Sequence, residues 1–443
     1  MIDRRRFLAS LGALSGTYTL AACGGGSESD VPNSTSSASG RSRQLNPTAR
    51  AESQGPSPDG TTIPDATAIV DKRGSVWTVN NGVVFQNDTA ISIANVLMLL
   101  WSGGKIYQRN TSGQFYVWSN DWLLCRDPRT PLAAQSGMFF GMNGHYDYLY
   151  TPAQTIAILN GMGCSIYRLG CNETSAELRP VARMARAMNG TGIELFCLIQ
   201  QGLTDDWGNL FGSEAAAYAK AYSTGVTVAS TLKPYGVTMY ECGNELTRRA
   251  QTVIDSNRAG TDVADFNNDN WPVMRGVMRG LIDGVKAAQP DAMCGINFCV
   301  ADIGASDALW EGNQPDGTSG HPVVRWDMTT WHNYEVYGDL FDIGSDGAGP
   351  HFDLPQYCKA RYGVPFMITE WNANPEQSDD YRSAFVQSRL QSFYDARKTH
   401  NIQSTMYYVL DSGDHTFGIM HNSVPILPTY LSFVNFVRSH ADS

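Results

Sequence analysis

The sequence predicts an α/β protein: a (β/α)8 TIM barrel preceded by a small all-β module. Three observations predict it. From residue 132 onward, short apolar strand-like runs alternate with helix-periodic stretches, giving eight strands, most of them followed by a helix. Residues 65–127 are strand-like throughout and carry turn signals between the runs. The distinctive polar clusters of the long region fall where its strands end, the face on which such barrels place their chemistry.

Length and composition set the frame. A chain of 443 residues fits one large domain plus something smaller. At 42% hydrophobic and 17% charged, it is too apolar for a disordered protein. It contains no apolar run long enough for a bilayer-spanning helix. A net charge of −11 without a basic stripe argues against nucleic acid as a partner. Residues 1–64 carry six Arg and five acidic residues, so the acidity belongs to the remainder. A monomer is expected.

The chain begins with a charged stretch and a short apolar segment, which reads as a signal peptide over 1–22. Arg4-Arg5-Arg6-Phe7-Leu8 resembles a twin-arginine export signal. Leu20-Ala21-Ala22-Cys23 resembles a lipobox, which implies cleavage before Cys23 and its lipidation. The resemblance implies an exported, membrane-anchored protein, periplasmic or at the cell surface, with an outer membrane as one such site. Residues 23–64, rich in Gly, Ser, Thr, Pro and Asn, read as a disordered tether.

In the module, Val76-Trp77-Thr78-Val79 and Val83-Val84-Phe85 flank the hairpin signal Asn80-Asn81-Gly82. Gly-Ser-Val-Trp at 74–77 and Gly-Lys-Ile-Tyr at 104–107 form a weak repeat. Trp77, Trp101, Trp118 and Trp122 serve either as its core or as sugar-stacking platforms. Eight cysteines follow Cys23, mostly in or beside apolar strands. They are expected chiefly as buried free thiols, although export would permit disulfides. No Cys/His spacing suits zinc.

In the barrel domain, 132–443, the strands are read at Gly137–Met142, Ser165–Leu169, Ile193–Ile199, Val237–Glu241, Met293–Phe298, Thr329–Tyr334, Pro365–Thr369 and Ser404–Leu410. Helices are read at 152–162, 176–189, 214–232, 272–289, 380–399 and about 429–438. Loops 201–213, 248–271 and 299–327 are expected to shape substrate subsites.

Asn143, His145 and Tyr146 follow strand 1, and Arg168 ends strand 2. Strand 4 leads into Glu241-Cys242-Gly243-Asn244-Glu245, strand 6 into Trp331-His332-Asn333-Tyr334, and strand 7 into Thr369-Glu370-Trp371-Asn372. Tyr407, Tyr408 and Asp411 lie near the end of strand 8. Strands 4 and 7 face each other across a closed barrel, so Glu245 and Glu370 can flank a bound substrate. Two carboxyl groups about 5–5.5 Å apart define a retaining glycosidase.

Asn244-Glu245 at strand 4 with Glu370 at strand 7 resembles glycoside hydrolase clan A, in a family 5-like or 39-like form, over about residues 137–436. The resemblance implies a retaining glycoside hydrolase that cleaves β-glycosidic bonds in a polysaccharide or glycoconjugate without a metal or organic cofactor. It implies Glu245 as acid/base and Glu370 as nucleophile, with Asn244 on the sugar 2-hydroxyl and Arg168 beneath the nucleophile. His145, His332 and Tyr334 match substrate-site positions. Leu246 stands where many clan members have Pro, and strand 8 lacks the usual Trp, so Tyr407, Tyr408 or Trp371 is expected to floor the sugar. Two alternatives stay open: a non-catalytic carbohydrate-binding lipoprotein, and a metal-dependent barrel hydrolase using His145 and His332.

Overall fold

The protein is described here from a computed structural model covering residues 55–92, 95–118, 122–125, 128–129, 137–344, 351–413 and 417–442. The signal-like segment, Cys23 and the tether up to residue 54 lie outside the described residues. The chain divides into two compact units between Trp122 and Leu123.

The smaller unit is antiparallel. One sheet orders the strands Thr62–Ile63, Val96–Ser102, Lys105–Asn110, Phe115–Trp118 and Trp122–Cys125. The other orders Ile69–Val70, Val76–Asn80, Val83–Gln86 and Thr89–Ala90. The Asn81-Gly82 turn has positive φ at both residues, 49° and 78°, which matches the right-handed twist of its flanking strands. Ordered structure begins earlier than the expected end of the tether: Thr62–Ile63 pairs with Leu99 and Leu100, and Ile63 is buried. Trp77 and Trp101 are core residues with Ile69, Val84, Leu99 and Ile106. Trp118 and Trp122 pack edge-on against Trp77, with ring centroids 5.7 and 6.5 Å away. The aromatics therefore build this unit's core, as a domain this small requires.

The larger unit is a closed barrel of eight strands, each parallel to its neighbours. In chain order these are β1 (Phe140–Gly144), β2 (Ile166–Cys171), β3 (Glu194–Ile199), β4 (Met239–Cys242), β5 (Met293–Cys299), β6 (Met328–His332), β7 (Phe366–Trp371) and β8 (Ile402–Tyr407). A helix follows each: α1 (Pro152–Met162), α2 (Ser175–Met188), α3 (Glu214–Leu232), α4 (Trp271–Ala288), α5 (Ile303–Glu311), α6 (Leu354–Tyr362), α7 (Asp379–Ala396) and α8 (Leu427–Ser439). Residues 299–327, expected as a loop, contain α5. It is short, and four buried residues on nine give little periodic signal.

Strand periodicity explains where the site sits. Ile166, Phe196, Met239, Met328, Met367 and Met406 form an apolar plug inside the barrel. Two residues further along β2, β4, β6 and β7 the same inward face carries Arg168, Glu241, Thr330 and Thr369, so a polar layer rests on the plug. The outward faces of the strands join the helices in the main hydrophobic core.

Helices α3 and α4 approach unusually closely. A Cβ on Gly276, Gly280 or Gly284 would lie 2.6, 2.4 or 2.2 Å from a backbone oxygen of α3. The helix reads as amphipathic in sequence, but its small-residue edge sets this close approach.

Candidate active site

Arg168 is the centre of the polar layer. It is almost fully buried and bonds four side chains from three other strand ends. Its Nε donates to Glu241 Oε2 at 2.6 Å, and one terminal nitrogen donates to Glu370 Oε1 at 2.6 Å and to Asn143 Oδ1 at 2.8 Å. The other terminal nitrogen donates to Asn244 Oδ1 at 3.1 Å. A planar guanidinium with five donors suits this fork. Burial works to raise the Glu241 carboxyl's pKa, but the charges of Arg168 and His332 and the hydrogen bonds from Thr330 and Arg168 together hold the group below its ordinary value. In turn, burial opposes the Arg168 charge and the two carboxylates more than compensate.

Glu370 reaches this network through an irregularity in β7. A regular strand sends successive side chains to opposite faces. Here Thr369 donates to Glu241 Oε1 at 2.9 Å while the adjacent Glu370 bonds Arg168, so both reach the interior. The register slips between Ile368 and Trp371 against β8, and between Trp331 and His332 against β6, leaving His332 opposite Glu370. Such bulges re-aim side chains. Tyr334 donates to the second oxygen of Glu370 at 2.6 Å.

The same irregularity corrects the expectation for Trp371. Its side chain is fully buried, 5.6 Å from the Phe393 ring of α7 and 5.1 Å from Tyr407. It is a packing residue next to Glu370 in the chain, and a fully buried ring offers no face to floor a sugar. Tyr407 is buried as well. Tyr408 instead joins the aromatic wall, edge-on to His145 at 6.2 Å, Tyr334 at 6.1 Å and Phe417 at 5.9 Å. His145 is exposed and also packs edge-on against Tyr148.

Glu245 sits just past β4. The turn before it needs Gly243, at φ 93°, and Glu245 itself adopts the left-handed conformation at φ 48°. That conformation is uncommon for a side chain of this length and is a functional-site signature when the surroundings enforce it. Its backbone N–H donates to Asn297 Oδ1 at 2.8 Å. Its Oε1 lies 2.8 Å from His332 Nδ1. Burial works to raise its pKa, and the His332 hydrogen bond and charge outweigh that, leaving it below the ordinary glutamate value.

One oxygen of Glu245, one ring nitrogen of His332 and one oxygen of Glu370 lie within 4.8 Å of one another. Among the described residues this is the one group of three with metal-ligand chemistry, and it does not include His145. Glu370 already meets the Arg168 cation, which works against a second cation at the same carboxylate.

The structure thus brings together Glu245, Glu370, Asn244, Arg168, His332 and Tyr334, with His145 on the aromatic wall. The sequence alone assigns Glu241 no role and does not single out Asn297. Both lie on inward positions of β4 and β5, and strand periodicity could have found them once the strands were placed. The seven cysteines from Cys164 to Cys358 are free and buried.

No protein-family model matches the chain, and no curated protein matches it in sequence. Solved structures do resemble it. The β-glycosidase BGL167 superposes with a TM-score of 0.51 at 12% identity, over 71% of this chain and 99% of that one. A family 39 glycoside hydrolase from the gut symbiont Bacteroides cellulosilyticus WH2 gives 0.52 at 12% identity, over 83% and 74%. The β-glycosidase from the hyperthermophile Thermosphaera aggregans gives 0.53 at 11% identity, over 68% and 96%. At such identities the likeness establishes a shared fold, the eight-stranded barrel.

Proposed function

We propose that the protein is a retaining glycoside hydrolase that cleaves β-glycosidic bonds of a polysaccharide or glycoconjugate by double displacement. One observation carries this: Glu245 and Glu370 approach within 4.8 Å at the barrel mouth. That close approach fits the short separation of a retaining enzyme.

Glu370 attacks the anomeric carbon while Glu245 gives its proton to the departing oxygen. Glu245 then takes a proton from the water that releases the glycosyl-enzyme. Arg168 and Tyr334, one on each oxygen, hold the Glu370 carboxylate aimed. Arg168 occupies the Asn244 carbonyl oxygen, which leaves the Asn244 amide nitrogen to donate to a sugar hydroxyl, strengthening as charge develops. His145 and Tyr408 supply aromatic surface for a sugar ring. Each of these steps is performed by side chains of the chain itself.

The sequence supports a polymer substrate reached outside the cell. The twin-arginine-like and lipobox-like segments support export and a lipid anchor at Cys23. Loss of membrane association in Cys23→Ser tests that part.

A mechanism-based fluoro-sugar followed by peptide mapping tests the catalytic reading. Label on Glu370 is the expected result, and label on another residue overturns the assignment. Glu245→Ala should slow turnover and recover with azide on a substrate with a good leaving group.

A further inference from the structure

Asn297 lies on the inward face of β5 and is almost fully buried. Its carboxamide is used at both ends. Oδ1 accepts the Glu245 backbone N–H at 2.8 Å, and Nδ2 donates to Glu241 Oε1 at 3.3 Å. The orientation is forced: a backbone N–H can only donate and an ionised carboxylate can only accept. His332 also bridges the two, with Nδ1 2.8 Å from Glu245 Oε1 and Nε2 3.5 Å from Arg168, but it meets the Glu245 side chain, whereas Asn297 meets its backbone. Asn244 connects to that layer through its own carbonyl.

The Glu245 backbone is left-handed, a strained conformation that its surroundings must enforce. The Asn297 bond satisfies the N–H of that residue. At its other end Asn297 is tied to Glu241, which Arg168 and Thr369 also hold. Arg168 in turn grips Glu370.

We infer that Asn297 is a positioning residue that holds the Glu245 backbone in its left-handed turn and fixes the acid/base carboxyl relative to the nucleophile through Glu241. This rests on the glycosidase reading and adds to it a residue that touches no substrate. Without Asn297 the Glu245 carboxyl loses its aim at the leaving oxygen, while Glu370 keeps both of its own partners.

The test exploits leaving groups. Matched aryl β-glycosides of several sugars are compared in wild type, Asn297→Ala and Asn297→Asp. One set carries 2,4-dinitrophenolate, which leaves without a proton; the other carries a poor phenolate, which needs one. The readout is kcat/KM, which covers steps up to the glycosyl-enzyme. For the poor leaving group it should fall about tenfold or more, since general acid catalysis contributes roughly 10²–10⁴-fold. For dinitrophenyl glycosides it should stay within about twofold of wild type. The ratio of the two does not depend on the fraction folded. If Asn297→Ala does not fold, Asn297→Asp, which keeps the acceptor and loses the donor toward Glu241, carries the test. An equal fall for both leaving groups, or no fall, overturns the inference alone. A wild type that hydrolyses neither set overturns the glycosidase reading and this inference with it.

Discussion

The ring nitrogen Nδ1 of His332 lies 2.8 Å from Glu245 Oε1, and this contact sets the protonation of the proposed acid. Burial alone would favour the neutral acid; the His332 bond and charge favour the carboxylate and win.

The sign of the consequence follows. A general acid must be protonated, so kcat/KM falls as pH rises through the Glu245 pKa of the free enzyme. With that pKa lowered, activity should decline early on the alkaline side. Removing the imidazole in His332→Ala raises the Glu245 pKa and should move the alkaline limb to higher pH. Profiles of kcat/KM against pH for both proteins check this, and an unmoved limb would show that another group sets it.

Arg168 and Glu241 form a buried pair at the heart of the site. Removing one partner leaves an uncompensated charge, so Arg168→Met should cost about 3–5 kcal/mol of stability. Neutralising Glu241 as well, in Arg168→Met/Glu241→Gln, should recover part of that loss. Urea unfolding of the two single variants and the double variant supplies the coupling energy, and strict additivity would contradict a direct interaction.

The α3–α4 approach predicts a steric outcome. A methyl at Gly280 would sit 2.4 Å from the Tyr218 carbonyl oxygen, so the helices must separate. Gly280→Ala should lose about 1–3 kcal/mol, whereas Gly212→Ala, with nothing within 4 Å of its added carbon, should change little. Thermal melts of the pair distinguish a packing effect from a general cost of replacing glycine.

Trp207 predicts a substrate-length effect. It sits in the loop after β3, on the barrel face that carries Glu245 and Glu370, and is 88% exposed. Asp205 Oδ1 accepts the backbone N–H of Trp207 and of Asn209, both at 2.9 Å, and holds the turn that presents it. Trp207→Ala should lower kcat/KM on a polysaccharide about tenfold, equivalent to roughly 1.4 kcal/mol of lost stacking, and leave aryl glycosides unaffected. Equal rates on the polymer would remove this loop from the binding surface.

Much of the site is legible in the sequence because barrel chemistry collects at strand ends. Arg168, Asn244, Glu245, His332, Tyr334 and Glu370 all fall there by pattern. Glu241 and Asn297 were hidden for another reason. Their importance comes from neighbours on other strands, and those pairings exist only once the barrel's register is known. Trp371 misleads because its neighbourhood in sequence is that of Glu370, and a bulge separates the two in space. The short helices α5 and α6 have too few turns to show a period.

The seven buried thiols carry a consequence for how the chain matures. Cys171 and Cys197 place their sulfurs 3.8 Å apart, close enough to be oxidised together if ever exposed. A chain threaded unfolded into an oxidising compartment would offer all of them to wrong partners before the barrel closed. A chain that completes its barrel first, in a reducing compartment, presents none. On the proposed export route, folding before crossing would keep these thiols from mispairing.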